Sequence, residues 1–203
     1  EVYDGTILIG APYSEQEGTD GAGAVYVFER GQGTWTHRTT LSDPDPTMGG
    51  AFGHDLAADE EAILVGAEGA REAHLFSDDG GSWRVVRSFS SPEESMHGFF
   101  GASVALDDEW LMVGGGRSPF TTGDDVSPVH VYRRESGRWT HVRALAPSEV
   151  PDRRQFGREI VLSGATLLVT LVPFNVRPAG AVYSYRRDAT CWELQPALRR
   201  QTS

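Results

Sequence analysis

A repeat of roughly 50 residues constrains the fold of this 203-residue chain more than any other feature. Its markers are a tryptophan, an aromatic residue seven positions earlier, and a Phe-Gly dipeptide. The tryptophans are Trp35, Trp83, Trp139 and Trp192, their aromatic partners are Phe28, Phe76, Tyr132 and Tyr185, and the dipeptides begin at Phe52, Phe100 and Phe156. All three markers advance first by 48 and then by 56 residues. Because they share one phase and a period near 50, they predict the blades of a β-propeller.

Each repeat contains four short apolar segments separated by turn-forming residues. In the third repeat the segments are 102–106, 110–113, 129–132 and 139–145. Short β-rich segments separated by clusters of Gly, Asp, Ser and Pro are typical of an all-β array. We therefore predict an all-β propeller, forming one domain or a fragment of one, with four-stranded blades at about 1–50, 51–98, 99–154 and 155–203.

The first repeat lacks the Phe-Gly segment, because only residues 1–3 precede the turn at Asp4 and Gly5. We therefore expect the first blade to lack its inner strand, which would leave an unpaired sheet edge. Three explanations remain open. The chain is part of a larger propeller, or a second copy or partner chain completes the ring, or a strained ring of four blades closes incompletely.

The charge distribution favours self-association that completes the ring. The net charge is −11, but residues 1–132 hold 6 arginines against 23 acidic residues, whereas residues 133–203 hold 12 arginines against 6. Opposite charges at the two ends would attract one copy to another, head to tail.

The repeats resemble the FG-GAP family, which forms the propeller of integrin α-subunits and occurs in bacterial surface and secreted proteins. The resemblance rests on segments 7–12, 23–28, 100–106 and 180–183. Kelch repeats are the alternative, and both families imply a propeller. The FG-GAP resemblance implies a non-catalytic interaction or adhesion module, extracellular or at the cell surface, that presents its loops to a protein partner.

Integrin propellers carry calcium loops between the first two strands of several blades. The matching turns here, at 58–62, 107–109 and 163–165, are too short to surround a calcium ion. We predict no metal and no cofactor. The acidic pairs Asp43/Asp45 and Asp124/Asp125 could bind a metal only with ligands from elsewhere, and we interpret them as solvated acidic turns.

The composition excludes several other classes. The net charge of −11 argues against nucleic acid as a partner, and no apolar run reaches 18 residues, so we predict no membrane insertion. The single cysteine, Cys191, excludes an internal disulfide and a cysteine-rich zinc site.

Two variable loops are the candidate binding surfaces, because each combines an arginine with an aromatic residue, as interface anchors do. The candidate residues are Arg117, Phe120, Asp124, Asp125, Phe174 and Arg177. The partner would be a protein or, in the alternative of a carbohydrate-binding propeller, a glycan.

Sequence motifs provide no support for catalysis. The six histidines occur at different phases of the repeat and outside any metal-ligand spacing, and no nucleophile elbow or phosphate-binding loop is present. We therefore predict that the protein is not an enzyme and has no catalytic residues. An enzyme with its site in the central funnel ranks third among the functional hypotheses.

Overall fold

The structure is a computed structural model that describes residues 1–3, 5–92, 98–107, 109–116, 128–147, 156–172, 180–188 and 191–196. These residues form sixteen β-strands in four antiparallel sheets of four strands each. Within these ranges, no helix has the length and apolar character of a membrane span.

Each sheet consists of four strands that are consecutive in the chain and hydrogen-bonded in chain order. Sheet 1 contains β1 (Val2–Tyr3), β2 (Thr6–Ala11), β3 (Ala24–Gly31) and β4 (Thr34–Ser42). Sheet 2 contains β5 (Phe52–Ala58), β6 (Ala62–Ala67), β7 (Glu72–Asp78) and β8 (Trp83–Ser90). Sheet 3 contains β9 (Ser103–Leu106), β10 (Trp110–Gly114), β11 (Val129–Glu135) and β12 (Arg138–Leu145). Sheet 4 contains β13 (Phe156–Ser163), β14 (Thr166–Leu171), β15 (Ala181–Arg187) and β16 (Trp192–Leu194).

The all-β class and the four four-stranded sheets are confirmed, and their arrangement is propeller-like. The prediction that the first sheet lacks an inner strand is wrong. Val2 and Tyr3 pair with Ile7 and Thr6 as a two-residue strand. Hydrogen bonds in both directions between the backbones of Glu1 and Leu8 extend this short pairing.

The hydrophobic core consists of three layers, one between each pair of successive sheets. The side chains of a strand alternate between its two faces, so a central sheet contributes to two layers. In β6, Ile63 and Val65 pack toward sheet 1 and Leu64 packs toward sheet 3. The phenylalanine of each Phe-Gly dipeptide is buried in the layer between its own sheet and the preceding one.

Two sets of glycines allow the sheets to approach closely at their first and second strands. We call this side of the sheets the inner side. A Cβ atom added to Gly10, Gly66 or Gly114 would lie 2.1, 2.2 or 2.5 Å from the backbone oxygen of Gly53, Gly101 or Gly157 respectively. The second member of each pair is the glycine of a Phe-Gly dipeptide, and its φ angle is 87°, 89° or 82°. Glycine is favoured at both positions because a side chain would collide with the next sheet or strain the backbone.

Sheet 4 differs at this position, because Thr170 occupies the place that glycine holds in the other sheets. Its hydroxyl donates to the backbone oxygen of Glu159 and accepts from the backbone nitrogen of Glu159. The face of sheet 4 beyond this position includes Val161 and Val182, which are 59% and 39% exposed. A further sheet therefore could not pack on this face of sheet 4 at the short distance found between sheets 1 and 2, 2 and 3, and 3 and 4.

Candidate functional site

The first strands of sheets 2, 3 and 4 lie against one another in succession, β5 against β9 and β9 against β13. His54 and Arg158 occupy the same repeat position, directly after a Phe-Gly dipeptide. Strand pairing is irregular in both segments, between Phe52 and Leu56 and between Phe156 and Ile160. Such irregularities redirect side chains, and they are frequent beside active sites.

His54, Glu68 and Arg158 form one cluster, which we call the inner triad. The Nε2 atom of His54 lies 2.6 Å from Oε2 of Glu68, and Nη1 of Arg158 lies 3.1 Å from Oε1 of the same carboxylate. The carboxylate therefore lies between two cationic groups, one from its own sheet and one from a sheet two places further along the chain. The side chains are 22%, 15% and 36% exposed in the order His54, Glu68 and Arg158, so the cluster is partly buried but can be reached by solvent.

The surroundings set the protonation states of the inner triad. Close contact with the Glu68 carboxylate raises the pKa of His54, against the opposing effect of burial. Burial alone would raise the pKa of Glu68, but the close contact and charge of His54, together with Arg158, outweigh it and hold that pKa below its usual range. His54 Nδ1 also donates to the backbone oxygen of Ala102 at 3.1 Å. One ring nitrogen thus has a carbonyl acceptor and the other lies against a carboxylate, which favours the imidazolium form.

Asp55 follows His54 but has a different role, because it joins sheet 2 to sheet 3. Its Oδ2 accepts a hydrogen bond from the backbone nitrogen of Val104 at 2.8 Å, and its Oδ1 accepts one from that of Leu56 at 2.9 Å. Burial raises the pKa of Asp55, and the two hydrogen bonds oppose this shift. Ser103, at the same repeat position, donates to the backbone oxygen of Gly157 at 2.7 Å. These residues therefore position the strands that carry His54 and Arg158.

The inner triad can perform two kinds of chemistry. With His54 protonated, the inner triad holds two cations and one carboxylate and can attract an anionic group. The His54–Glu68 pair also supplies a proton donor and a proton acceptor in contact, the requirement for general acid–base catalysis.

Two other histidines of the described residues, His74 and His130, are buried in the sheets, whereas His37 and His141 are exposed. His130 and His141 face each other, with 3.3 Å between Nδ1 of His130 and Nε2 of His141. Burial, followed by the charge of His141, lowers the pKa of His130 to about 4, so this histidine is neutral at pH 7. The pair packs against Phe100 and Tyr132 and contributes to the core.

Two groups of described residues bring three potential metal ligands together: Asp43 with Glu72 and His74, and Asp188 with Cys191 and Glu193. The interpretation of Asp43 as part of a solvated acidic turn is wrong, because its side chain is buried against His74. Asp45 is exposed, as expected. The absence of a metal remains a prediction that the structure does not test.

The six binding residues predicted from the sequence lie outside the described residues. Arg117, Phe120, Asp124 and Asp125 belong to 117–127, and Phe174 and Arg177 belong to 173–179. The sequence analysis missed the inner triad, although one signal was available. Comparing the repeats at the position after Phe-Gly gives a charged or ionisable residue in two of them, His54 and Arg158, and Ala102 in the third.

No protein-family model matches this chain. No curated protein matches it either.

The fold does match solved structures. One is a putative 6-phosphogluconolactonase from Bacteroides uniformis, with a TM-score of 0.64 and 10% identity over 98% of this chain and 55% of the other. A protein with the same description from Bacteroides fragilis has a TM-score of 0.50 and 11% identity over 96% of this chain and 68% of the other. The chain therefore spans about half the length of the first structure. At these identities the comparison establishes the fold.

These matches correct two predictions from the sequence. The assignment to the FG-GAP family and to integrin-like propellers is contradicted, because the matching structures carry lactonase names and no family model supports FG-GAP. The predictions of a non-catalytic adhesion module and of a protein that is not an enzyme are contradicted by the same neighbours, which are named as enzymes, and a carbohydrate-binding module is not favoured either. The recurrence that suggested FG-GAP reflects the packing of successive sheets, and packing within a fold does not identify a function.

Proposed function

We propose that the protein is a hydrolase that opens the lactone ring of a sugar-derived acid bearing an anionic group. The observation that carries this proposal is the inner triad, in which His54, Glu68 and Arg158 meet on the inner side of the sheets. The names of the structural neighbours support the substrate class, a phosphorylated sugar lactone.

Arg158 would bind the anionic group of the substrate. One of its nitrogens contacts Glu68, and the side chain is 36% exposed, so the other donors of the guanidinium can reach a phosphate or carboxylate. Arginine suits this role because its planar group can donate two parallel hydrogen bonds to an oxyanion.

His54 and Glu68 would move the protons. Water adds to the lactone carbonyl carbon as the Glu68 carboxylate accepts one of its protons. The bond from that carbon to the ring oxygen then breaks, and His54 donates its Nε2 proton to the departing oxygen. Transfer of the proton from Glu68 to His54 restores the starting states, and the product is a hydroxy acid. The lowered pKa of Glu68 keeps it in the carboxylate form that accepts a proton, and the raised pKa of His54 favours the protonated form that donates one.

A lactonase assay tests this proposal. The purified chain is mixed with a six-membered sugar lactone, with and without a 6-phosphate, and acid release is compared with spontaneous hydrolysis. We expect acceleration that falls at least about a hundredfold in Glu68→Gln, the range for loss of a general base. Glu61→Gln is the matched control, since Glu61 is an exposed carboxylate of the same sheet that pairs with Arg134 at 2.8 Å.

Two outcomes would contradict the proposal. One is a rate equal to spontaneous hydrolysis for both lactones. The other is full activity in Glu68→Gln, which would place the chemistry elsewhere in the molecule.

We also propose that the four sheets are blades of a propeller whose ring is completed by a second copy of the chain. The faces that lack a neighbouring sheet carry exposed apolar side chains, namely Ile9 on sheet 1 and Val161 and Val182 on sheet 4. In sheets 2 and 3, the positions equivalent to Val161 are Ala57 and Ala105, and both pack in the layer toward the next sheet. The acidic first part and the basic last part of the chain support association between copies.

Light scattering tests this assembly at micromolar concentration and at low and high salt. We expect the mass of a dimer or larger oligomer at low salt, decreasing in Val161→Glu and as salt is added. A monomer mass that is independent of salt would exclude completion by a second copy.

A further inference from the structure

A second polar cluster lies between sheets 1 and 2 and shares no residue with the inner triad. Asp43 comes directly after β4 of sheet 1, and Glu72 and His74 lie on β7 of sheet 2. Residues 72 and 74 lie on the same face of their strand because side chains alternate with a period of two. The chain thus brings a carboxylate from one sheet to a carboxylate and an imidazole from the next. We call this group the interface cluster.

The interface cluster contains buried polar atoms without a hydrogen-bond partner. The side chains of Asp43 and His74 are each 1% exposed. Oδ2 of Asp43 and Nε2 of His74 make no hydrogen bond within the described part of the chain. The nearest carboxylate oxygens to His74 Nε2 are Oε2 of Glu72 at 3.4 Å and Oδ1 of Asp43 at 3.7 Å. Native structures rarely leave buried polar atoms unpartnered, and a bound ion can supply the missing partner.

Neighbouring groups hold the histidine and the aspartate in orientations suited to ligands. His74 Nδ1 lies 2.9 Å from the hydroxyl of Ser88, which leaves Nε2 directed at the carboxylates. The backbone nitrogen of Asp45 donates to Oδ1 of Asp43 at 2.9 Å and leaves Oδ2 available. Metal-binding histidines typically use their second nitrogen in this way.

We propose that Asp43, Glu72 and His74 bind a divalent cation of the zinc class, which joins sheet 1 to sheet 2. One imidazole nitrogen and two carboxylates form a ligand set that zinc accepts, whereas calcium requires six or more oxygen ligands. In a tetrahedral site with bonds of about 2.0–2.2 Å, ligand atoms lie about 3.3–3.6 Å apart. Nε2 of His74 lies 3.4 Å from Oε2 of Glu72, within this range, and each of the three residues offers a ligand atom within 4.8 Å of the other two.

Calorimetric titration of the metal-free chain with Zn²⁺ tests the proposal. A Cys191→Ser background is used because Asp188, Cys191 and Glu193 could take up the same ion at an exposed position. We expect one Zn²⁺ per chain, bound at least about tenfold more weakly by Glu72→Gln, since even the partners of metal ligands contribute about 10–100-fold. Glu72 is the partly exposed member of the cluster, so this variant is expected to fold, and circular dichroism checks that it does.

Asp43→Asn is the second variant and preserves the shape of the buried side chain. Asp45→Asn is the matched control, because Asp45 is an exposed acid of the same loop that contributes its backbone nitrogen. Cobalt substitution gives an independent readout, since a tetrahedral site produces strong visible absorption that Glu72→Gln should weaken. Zinc bound equally by the parent, both cluster variants and the control would be adventitious and would overturn the proposal. Tighter binding of Ca²⁺ than of Zn²⁺ would also overturn it.

Discussion

Sheet 2 contributes to two clusters that each combine a histidine with at least one carboxylate, but their charge balances are opposite. In the inner triad, Glu68 lies between His54 and Arg158, and close contact with the Glu68 carboxylate raises the pKa of the histidine. In the interface cluster, His74 faces two carboxylates, and burial lowers its pKa, against the opposing charge of Asp43. With His54 protonated, the first cluster has excess positive charge and fits an anion, whereas the second has excess negative charge and fits a cation.

The difference follows from what surrounds each histidine. His54 is partly exposed, so it can carry a charge at moderate cost, and Arg158 arrives from sheet 4 to balance the carboxylate. His74 lies in the apolar layer between sheets 1 and 2, against Phe52, where a charged imidazole is unfavourable. The same residue types therefore serve different purposes in the two places.

The largest expected effect is on kcat, which should depend on the inner triad and not on the interface cluster. His54→Gln should lower kcat for lactone opening by about a hundredfold or more, because it removes the proton donor. Glu72→Gln should leave kcat within about twofold, since the interface cluster does not take part in the reaction. Initial rates at saturating lactone measure both. Equal losses in the two variants would show that the clusters are not independent.

The next largest effect is on Tm, which should depend on metal through the interface cluster and not through the inner triad. If zinc is present at about 100 times its dissociation constant, it stabilises the fold by about 2.7 kcal/mol. For a chain of this size that corresponds to a Tm change of about 5–10 °C. A chelator should therefore lower the Tm of the parent and of His54→Gln, and should have little effect on Asp43→Asn. Differential scanning calorimetry makes the comparison, and a chelator effect that persists in Asp43→Asn would contradict it.

A smaller effect tests the anion specificity of the inner triad. Arg158→Ala should raise KM for the phosphorylated lactone about tenfold, equivalent to about 1.4 kcal/mol. The unphosphorylated lactone should show a much smaller change, since it has no anionic group for the guanidinium to bind. Steady-state kinetics with both substrates gives the ratio. An equal rise in KM for both would show that Arg158 only supports the structure.

The smallest effect concerns pH. The folded pKa of His54 lies above its ordinary value of 6.5, so its contribution to stability is complete below that value and is lost as pH rises through the folded pKa. The pKa of Glu68 lies below its ordinary value of 4.5, so its contribution is present above that value and is lost as pH falls through the folded pKa. The stabilisation should thus be largest between the two ordinary values and at most about 1 kcal/mol.

Urea unfolding of the parent and of His54→Gln between pH 5 and pH 9 measures this contribution. The difference in unfolding free energy should shrink as the pH rises above neutrality. A difference that grows with pH would contradict the direction of the His54 shift. His130→Gln is a suitable comparison, because a histidine with a pKa of about 4 stays neutral throughout this range.

The strands could be predicted from the sequence because their signals are local. Side-chain alternation, the turn residues and the phase of Phe-Gly identify the segments now seen as β5, β9 and β13. The short β1 was missed because a two-residue strand has no periodicity to detect. The family was misassigned because glycine at the close approach of two sheets is a packing requirement of the fold and does not by itself identify a family.

The candidate sites could not be predicted to the same extent. His54 and Arg158 are 104 positions apart in the chain, and only the succession of sheets brings both to Glu68. Asp43 seemed to be a solvated turn residue because its neighbours Pro44 and Asp45 are polar or turn-forming. Its burial depends on sheet 2, whose β7 strand covers it with His74.

The sequence by itself determined the positions of most strands, the four-sheet repeat and the side chains that form the core, since these depend on contacts within a few residues. Only the tertiary structure decided which polar residues meet. Stacking of successive sheets places Arg158 beside Glu68 and Asp43 beside His74. Such contacts depend on the distance and angle between sheets, which no local pattern specifies.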